Sequence, residues 1–233
     1  MSASANPDIV TDNLIFCLDA AHPKCFQSGQ TTATDLAQGF NCSGANGTPG
    51  TGTHTPATAN FPAYNSLHGG IFDFVGGRGI NIDGNLGSTT ASSISMWIYK
   101  NSTGTQYITD GRNNGGQWFL SNYTSYNINW HDTLRYNFED PFNASATEFL
   151  NKWIYMVTVS DSTGSKLYLN GQEVSSTGES SADEDFGINY RIGTRYTTGS
   201  EWTGLMGPIY FYNKRLTPAE ILQNYNATKS RFA

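Results

Sequence analysis

The chain has 233 residues, 37% apolar and 13% aromatic, which suits one large all-β domain with a sizeable core rather than two small ones. Charged residues make up only 14% and the formal net charge is −6 with no Lys/Arg cluster, so neither a disordered composition nor a nucleic-acid-binding face is expected. No apolar run approaches the roughly 20 residues that span a bilayer, and the start "MSASANPDIVTDNLIF" has no basic stretch followed by a long apolar one, so no membrane span and no secretory signal are expected.

Residues 1–12 read as an N-terminal arm with few means to order itself, so a partner or a neighbouring subunit is expected to hold it. "NLIFCLDA" (Asn13 to Ala20) is the first strand, with Cys17 inside its apolar run. From about residue 27 to 64 the chain turns Thr-, Gly-, Asn- and Ala-rich and reads as a long loop. "GIFDFV" and "RGINID" flank Gly76 and Gly77 and suggest a hairpin. In "SSISMWIYK", Ile94, Met96 and Ile98 alternate with Ser95, Trp97 and Tyr99, the pattern of a strand with two different faces. "QYITDG", "GQWFLS", "YNINWH" and "LRYNFE" follow at intervals of about ten residues, the spacing of a sandwich or barrel. "KWIYMVTVSD" is almost wholly apolar or β-branched, hence a central strand buried on both faces. "SKLYLNGQEV" is a hairpin with Asn170–Gly171 at its tip. "INYRIGTR" and "TGLMGPIYFYNK" complete about a dozen strands, with Pro208 marking an edge or a bulge.

The end of the chain changes character. Thr217 is placed to cap a helix, Pro218 falls at its first position, and Glu220 lies three residues after the cap, which together make a capping box. Leu216 and Ile221 form the hydrophobic staple, and Ile221, Leu222 and Tyr225 share one apolar face. Such a face needs a surface to lie on. With no βαβ unit and no repeat, the expected fold is all-β: two antiparallel sheets packed face to face, with the short C-terminal helix covering an end or a flank. A single domain over residues 13–233 is expected.

Three cysteines, Cys17, Cys25 and Cys42, do not describe a disulfide framework or a zinc site. A Cys25–Cys42 bridge stays open. His22, His54, His68 and His131 are scattered and belong to no catalytic phrase. Asp183–Glu184–Asp185 reads as a solvated turn and Glu139–Asp140 as a turn before a proline; neither has the spacing of a glycosidase carboxylate pair. No enzyme is expected.

A sugar site needs aromatic faces for CH groups and polar partners for hydroxyls. Trp118, Tyr123, Tyr126, Trp130, His131, Asp132, Tyr196 and Trp202 fall in or beside loops, and Asp110, Arg112, Asn113 and Asn114 could add polar contacts. The same aromatics also suit core positions or cross-strand pairs.

The phrases "GIFDFVGGRGINI", "SISMWIY", "WIYMVTVSDSTGSKLYLNGQEV" and "RIGTRYTTGSEWTGLMGPIYFYNKRLTPAEILQNYNATK" resemble, in order, the laminin-G-like jelly rolls of the concanavalin A-like lectin/glucanase superfamily. The resemblance runs from about residue 13 to 230. Its most specific part is Tyr212, Asn213 and Leu216 followed by Thr217, Glu220 and Ile221. It implies a concanavalin A-like jelly-roll sandwich. Of the double acidic phrase that many members carry, only Asp73 is present, so no cofactor is expected and calcium has no clear motif. The chain looks most like laminin-G-like virion proteins of marine tailed phages. That likeness implies a non-enzymatic capsid decoration or tail or fibre appendage on the virion surface, touching other virion proteins or copies of itself. The alternative is a lectin-like module for host attachment, since this fold hosts both kinds of role.

Overall fold

The computed structural model describes residues 7–45, 60–75, 77–102, 106–111, 119–122, 128–131, 135–138, 150–177, 184–186, 190–195 and 201–232. Among them are eighteen strands and one α-helix. The first nine strands are β1 (Leu14–Leu18), β2 (Ala33–Thr34), β3 (Asn41–Gly44), β4 (Ala63–Asn65), β5 (Ile71–Asp73), β6 (Ile80–Ile82), β7 (Ser88–Thr89), β8 (Ala91–Lys100) and β9 (Gln106–Asp110). The rest are β10 (Phe119–Asn122), β11 (Ile128–His131), β12 (Arg135–Phe138), β13 (Trp153–Asp161), β14 (Gly164–Leu169), β15 (Gln172–Thr177), β16 (Glu184–Asp185), β17 (Arg191–Ile192) and β18 (Gly204–Tyr212), followed by α1 (Pro218–Thr228).

Two antiparallel sheets carry the fold. The first runs β15-β14-β13-β8-β18-β5-β4, with β1 beside the other half of β18. The second runs β12-β11-β10-β9-β17-β6-β3-β2. Strand alternation sends one side of each strand into the space between the sheets. Ile94, Met96 and Ile98 of β8 and Ile154 and Met156 of β13 meet Ile80, Ile82 and Ile192 of the second sheet there. The opposite side of the first sheet presents Trp97, Tyr155, Val157, Val159, Tyr210 and Tyr212, and this second apolar layer is also buried. β8 therefore has the two faces its alternation predicts, and β13 is buried on both.

The cover over that second layer is the C-terminal helix. Thr217 and Glu220 form the expected capping box, and Leu216 and Ile221 are both buried in this layer. Leu222 departs from expectation: it is 42% exposed, and Asn224 is buried on the helix instead. The reason is a polar ring. The Asn224 amide donates to the Tyr212 hydroxyl (3.0 Å), that hydroxyl donates to the Val10 carbonyl (3.0 Å), and the Val10 N–H donates back to Asn224 Oδ1 (2.7 Å). Gln223 adds a bond to the Asp8 carbonyl and Lys214 an ion pair with Asp12. Contacts to the chain's own helix and last strand thus hold residues 8–12 of the arm, a means of ordering that the sequence reading did not foresee.

Beyond the helix, Phe232 packs on Trp97 and Trp153 at ring-centroid distances of 4.6 Å each. The Trp97 indole N–H donates to Thr228 Oγ1 at 2.8 Å. Arg231 donates to the carbonyls of His68 and Gly70 and pairs with Asp19, which ties the C-terminus to two loops of the first sheet's end. The His68 ring lies between the Arg231 carbonyl at Nδ1 and the Trp153 indole N–H at Nε2. Since Trp153 can only donate, Nε2 accepts and Nδ1 carries the proton.

Several local expectations are corrected. The segments around Gly77 do not form a hairpin: β5 lies in the first sheet and β6 in the second. Gly77 (φ 75°) stands in the crossing between them. The long loop of 27–64 contains β2 and β3, which extend the second sheet, and the start of β4 in the first. Strands of two to four residues leave no periodicity to read. Glu184–Asp185, taken as a turn, pairs with Ser88–Thr89 as a small ribbon, and Phe186 behind it is fully buried. Pro208 does mark a break: the β18 register shifts between Met206 and Ile209, where its outer neighbour changes from β5 to β1. Asn170 and Gly171 both have positive φ, as a type I′ turn requires.

All three cysteines are buried free thiols. Burial pushes all three up, Cys25 to about 12 and Cys17 and Cys42 further above the ordinary thiol range. Without reductant, a thiol reagent at pH 8 is expected to label none of them in the native protein and all three after denaturation. Labelling of only one after denaturation would reveal a bridge. Asn224→Ala removes two arms of the polar ring and leaves the Val10 N–H unpaired. It is expected to lower the unfolding free energy by about 2–4 kcal/mol, seen as a reduced denaturant midpoint at unchanged m-value, with faster hydrogen exchange at the Val10 amide.

Candidate binding face on the second sheet

The second sheet's side facing away from the core is unlike the first sheet's. β6 reads Ile80-Asn81-Ile82 and β17 reads Arg191-Ile192; the isoleucines enter the core, so Asn81 and Arg191 take the outer face. The strands are in register there. Ser43 of β3 pairs with Asn81, Asn81 with Arg191, and Arg191 with Asp110 of β9. A bulge at Ile108 lets β9 keep Ile108 in the core while Asp110 stays in this row: Thr109 pairs with Leu120, Tyr107 with Ser121, and Ile108 is skipped. A polar row thus crosses four adjacent strands.

Its side chains are covered yet incompletely paired. Asn81 is 0% exposed, Asp110 1% and Arg191 5%. The Asn81 amide nitrogen donates to Asp83 Oδ1 at 2.7 Å. Asp83 also accepts from the Ser43 hydroxyl (2.9 Å) and the Asn41 amide (3.0 Å). A carboxylate cannot donate, so the Asn81 amide must face Asp83 with its nitrogen, and its oxygen is the atom turned away. That oxygen has no hydrogen-bond partner. Neither has the Nε–H of Arg191, directly across the strand pair. Arg191 does use Nη1, which donates to the Arg195 carbonyl at 3.0 Å. Burial pushes the Arg191 guanidinium down from its ordinary range, and the charge of Asp110 beside it opposes that shift.

The turn after β17 lies beside this row. Gly193 has φ 76° and its position leaves no room for a side chain, since a Cβ would come within 2.3 Å of Phe74. This turn brings Thr194 down on Gly79, where a Cβ would come within 2.4 Å of the Thr194 methyl. Gly79 lies two residues before Asn81, on the same face. Arg195 then lies over the Tyr107 ring, 5.1 Å from its centroid, with its own Nε unpaired.

Of the aromatic and polar residues singled out for a sugar site, Trp118, Tyr123, Tyr126, Asp132, Tyr196, Arg112, Asn113 and Asn114 lie outside the described residues. Trp130 and His131 are on β11. By backbone register His131 sits across from Phe119 and Arg135, and Phe119 across from Asp110, so His131 continues the same row. Trp130 falls one position away, in the row of Leu120 and Thr109. Trp202 is a correction. It is 1% exposed in the core between the sheets and offers no ring face to a sugar. Asn81, Arg191 and Arg195 escaped the sequence reading, although the polar–apolar alternation of "GINID" and "YRIG" carries the signal. Among the described residues no three His, Cys, Asp or Glu side chains gather as a metal site would require.

The model of a laminin G family, Laminin_G_3, of the concanavalin A-like lectin/glucanases superfamily matches residues 75–222. No curated protein sequence matches the chain. Among solved structures, domain 4 of AbnA, a GH43 extracellular arabinanase from Geobacillus stearothermophilus, in complex with arabinotriose, superposes with a TM-score of 0.66 at 18% identity over 91% of this chain and 98% of that one. The botulinum neurotoxin serotype D binding domain gives 0.65 at 17% identity, over 93% of this chain and 52% of that one. A botulinum neurotoxin type C structure, from work on cell entry dependent upon interaction with two ganglioside molecules, gives 0.61 at 15% identity over 94% and 52%. At these identities the likeness is one of fold.

Trp202→Ala should behave as a core deletion, with a loss of about 3–5 kcal/mol in unfolding free energy. A stability change under about 1 kcal/mol would contradict its placement.

Proposed function

The chain belongs to the concanavalin A-like lectin/glucanase superfamily, and from that premise we propose that it is a carbohydrate-binding protein whose outer second-sheet face holds glycan hydroxyls. One observation carries the reading: a buried acceptor, Asn81 Oδ1, and a buried donor, Arg191 Nε–H, stand opposite each other across one strand pair with no partner of their own. Leaving such groups unpaired costs about 1–3 kcal/mol each. Buried groups of this kind call for a partner from outside the chain, and a ligand can supply it. A hydroxyl group both accepts and donates, so one sugar hydroxyl can satisfy both atoms.

The neighbours support the same class of ligand, since one is solved with arabinotriose and another was studied for ganglioside-dependent entry. Binding without turnover is part of the proposal. Asp83 and Asp110 flank the row on one face, but Asn81 and Arg191 stand between them and three donors occupy the Asp83 carboxylate. A glycosidase needs one carboxyl free to give a proton to the leaving oxygen. The virion-component reading drawn from the resemblance to phage proteins has less need of a partner for the arm, because residues 8–12 also find contacts within the chain.

A glycan array is expected to yield binders, and Arg191→Met is expected to weaken them by at least about tenfold, the effect of one charge-assisted hydrogen bond. The same variant leaves the buried Asp110 without the cation beside it, so its melting temperature should fall, and binding is compared at a temperature where circular dichroism shows both proteins folded. No binding by the unaltered protein, or equal binding by the variant, would overturn the proposal.

A further inference from the structure

We infer that this face selects neutral sugars and rejects those bearing a carboxylate. The inference rests on the glycan reading above and concerns the chemistry of the ligand. Its ground is the order of charges along the row. Asp83 stands on one side of the Asn81–Arg191 pair and Asp110 on the other, next to Arg191 in register. The Arg191 charge is therefore already faced by Asp110, which acts on it across the strand pair. Arg195, the other cation near the row, lies over the Tyr107 ring and gives its carbonyl to Arg191, and its unpaired N–H, at Nε, can serve a hydroxyl as well as a carboxylate.

The free atoms point the same way. A carboxylate only accepts hydrogen bonds. It could use the Arg191 Nε–H, but the Asn81 oxygen opposite would meet it lone pair to lone pair. Asp83 holds that amide so that the nitrogen cannot be turned round to donate. An anion placed there also lies between two carboxylates, of which the buried one, Asp110, is weakly screened by solvent. A hydroxyl pays none of these costs: it accepts from Arg191 and donates to Asn81. Two arginines would by themselves suggest an acidic ligand, and the flanking aspartates and the orientation of Asn81 overrule that suggestion.

The test uses the full chain and an array scored as matched pairs, such as lactose against 3′-sialyllactose and neutral arabino-oligosaccharides against oligogalacturonates. Neutral members are expected to bind at least about tenfold more tightly than their acidic counterparts. Their affinity is expected to change less than about twofold between low and high salt. Asp110→Asn should narrow the gap by improving acidic members more than neutral ones. Should that variant fail to fold, Asp83→Asn, at the exposed residue that holds the Asn81 amide, serves the same purpose. Acidic members binding as well as or better than neutral ones would overturn this inference and leave the glycan reading standing. Absence of binding to every sugar would sink both.

Discussion

Everything on the first sheet's outer side depends on how one strand, β18, is enclosed. It lies between β8 on one edge and β5 and β1 on the other, and it runs straight into the helix that covers it. The covering layer is mostly apolar, so most of the free energy comes from burial of Trp97, Tyr155, Ile221 and Phe232, each side chain worth about 1.5–3 kcal/mol if fully removed from water. Burial alone does not say where the helix sits. The ring of Asn224, Tyr212 and Val10 does, because its three donors and three acceptors match only when helix, strand and arm hold one relative position. Net stabilisation from such bonds is modest, but mispairing them in an apolar layer costs the full desolvation of each group. The ring therefore acts on specificity of packing more than on stability.

That enclosure leaves an asymmetry between the sheets. The first is buried over much of both sides, apart from its β14–β15 edge, where Lys166 and Glu173 stand in solvent. The second is apolar only toward the core, and its other side carries Ser43, Asn81, Arg191 and Asp110 in cross-strand register. A sheet that merely needed a solvated face would carry exposed, fully hydrated polar side chains. These are buried, and two of their atoms go unpaired. Such atoms are costly in a scaffold and useful in a binding site.

How far the sequence shows this differs between the two faces. The alternation in Ile94–Tyr99, the unbroken apolar run of β13, the Asn170–Gly171 turn and the Thr217–Glu220 capping box are local patterns. Each survives intact in the fold because nothing distant opposes it. The hairpin expected around Gly77 fails because a glycine-rich link reads the same whether it turns within a sheet or crosses between sheets. β2 and β3 are too short for any period to show. Leu222 and Asn224 exchange places because the helix face was read from apolarity alone, while the partner surface offers a tyrosine hydroxyl and a backbone segment from the other terminus. Trp202 looked like a loop aromatic from its Gly-, Ser- and Thr-rich surroundings and is in fact core. The candidate face was legible only in part: His131 falls in its row, but Asn81 and Arg191 become neighbours through pairings between residues far apart in the chain.

The same reasoning separates what fold likeness tells from what the residues tell. Neighbours at 15–18% identity share the sandwich, and a shared sandwich is compatible with a neutral arabinan fragment and with an acidic ganglioside alike. Nothing in backbone superposition chooses between them. The choice falls to a few atoms whose orientation is forced: Asp83 can only accept, hence Asn81 offers its oxygen to the row, hence the group that best fits beside Arg191 is one that both gives and takes a proton in hydrogen bonding. Charge points the same way, since the guanidinium that would attract an anion already has a carboxylate beside it. Selectivity of this kind arises from what the site refuses as much as from what it holds.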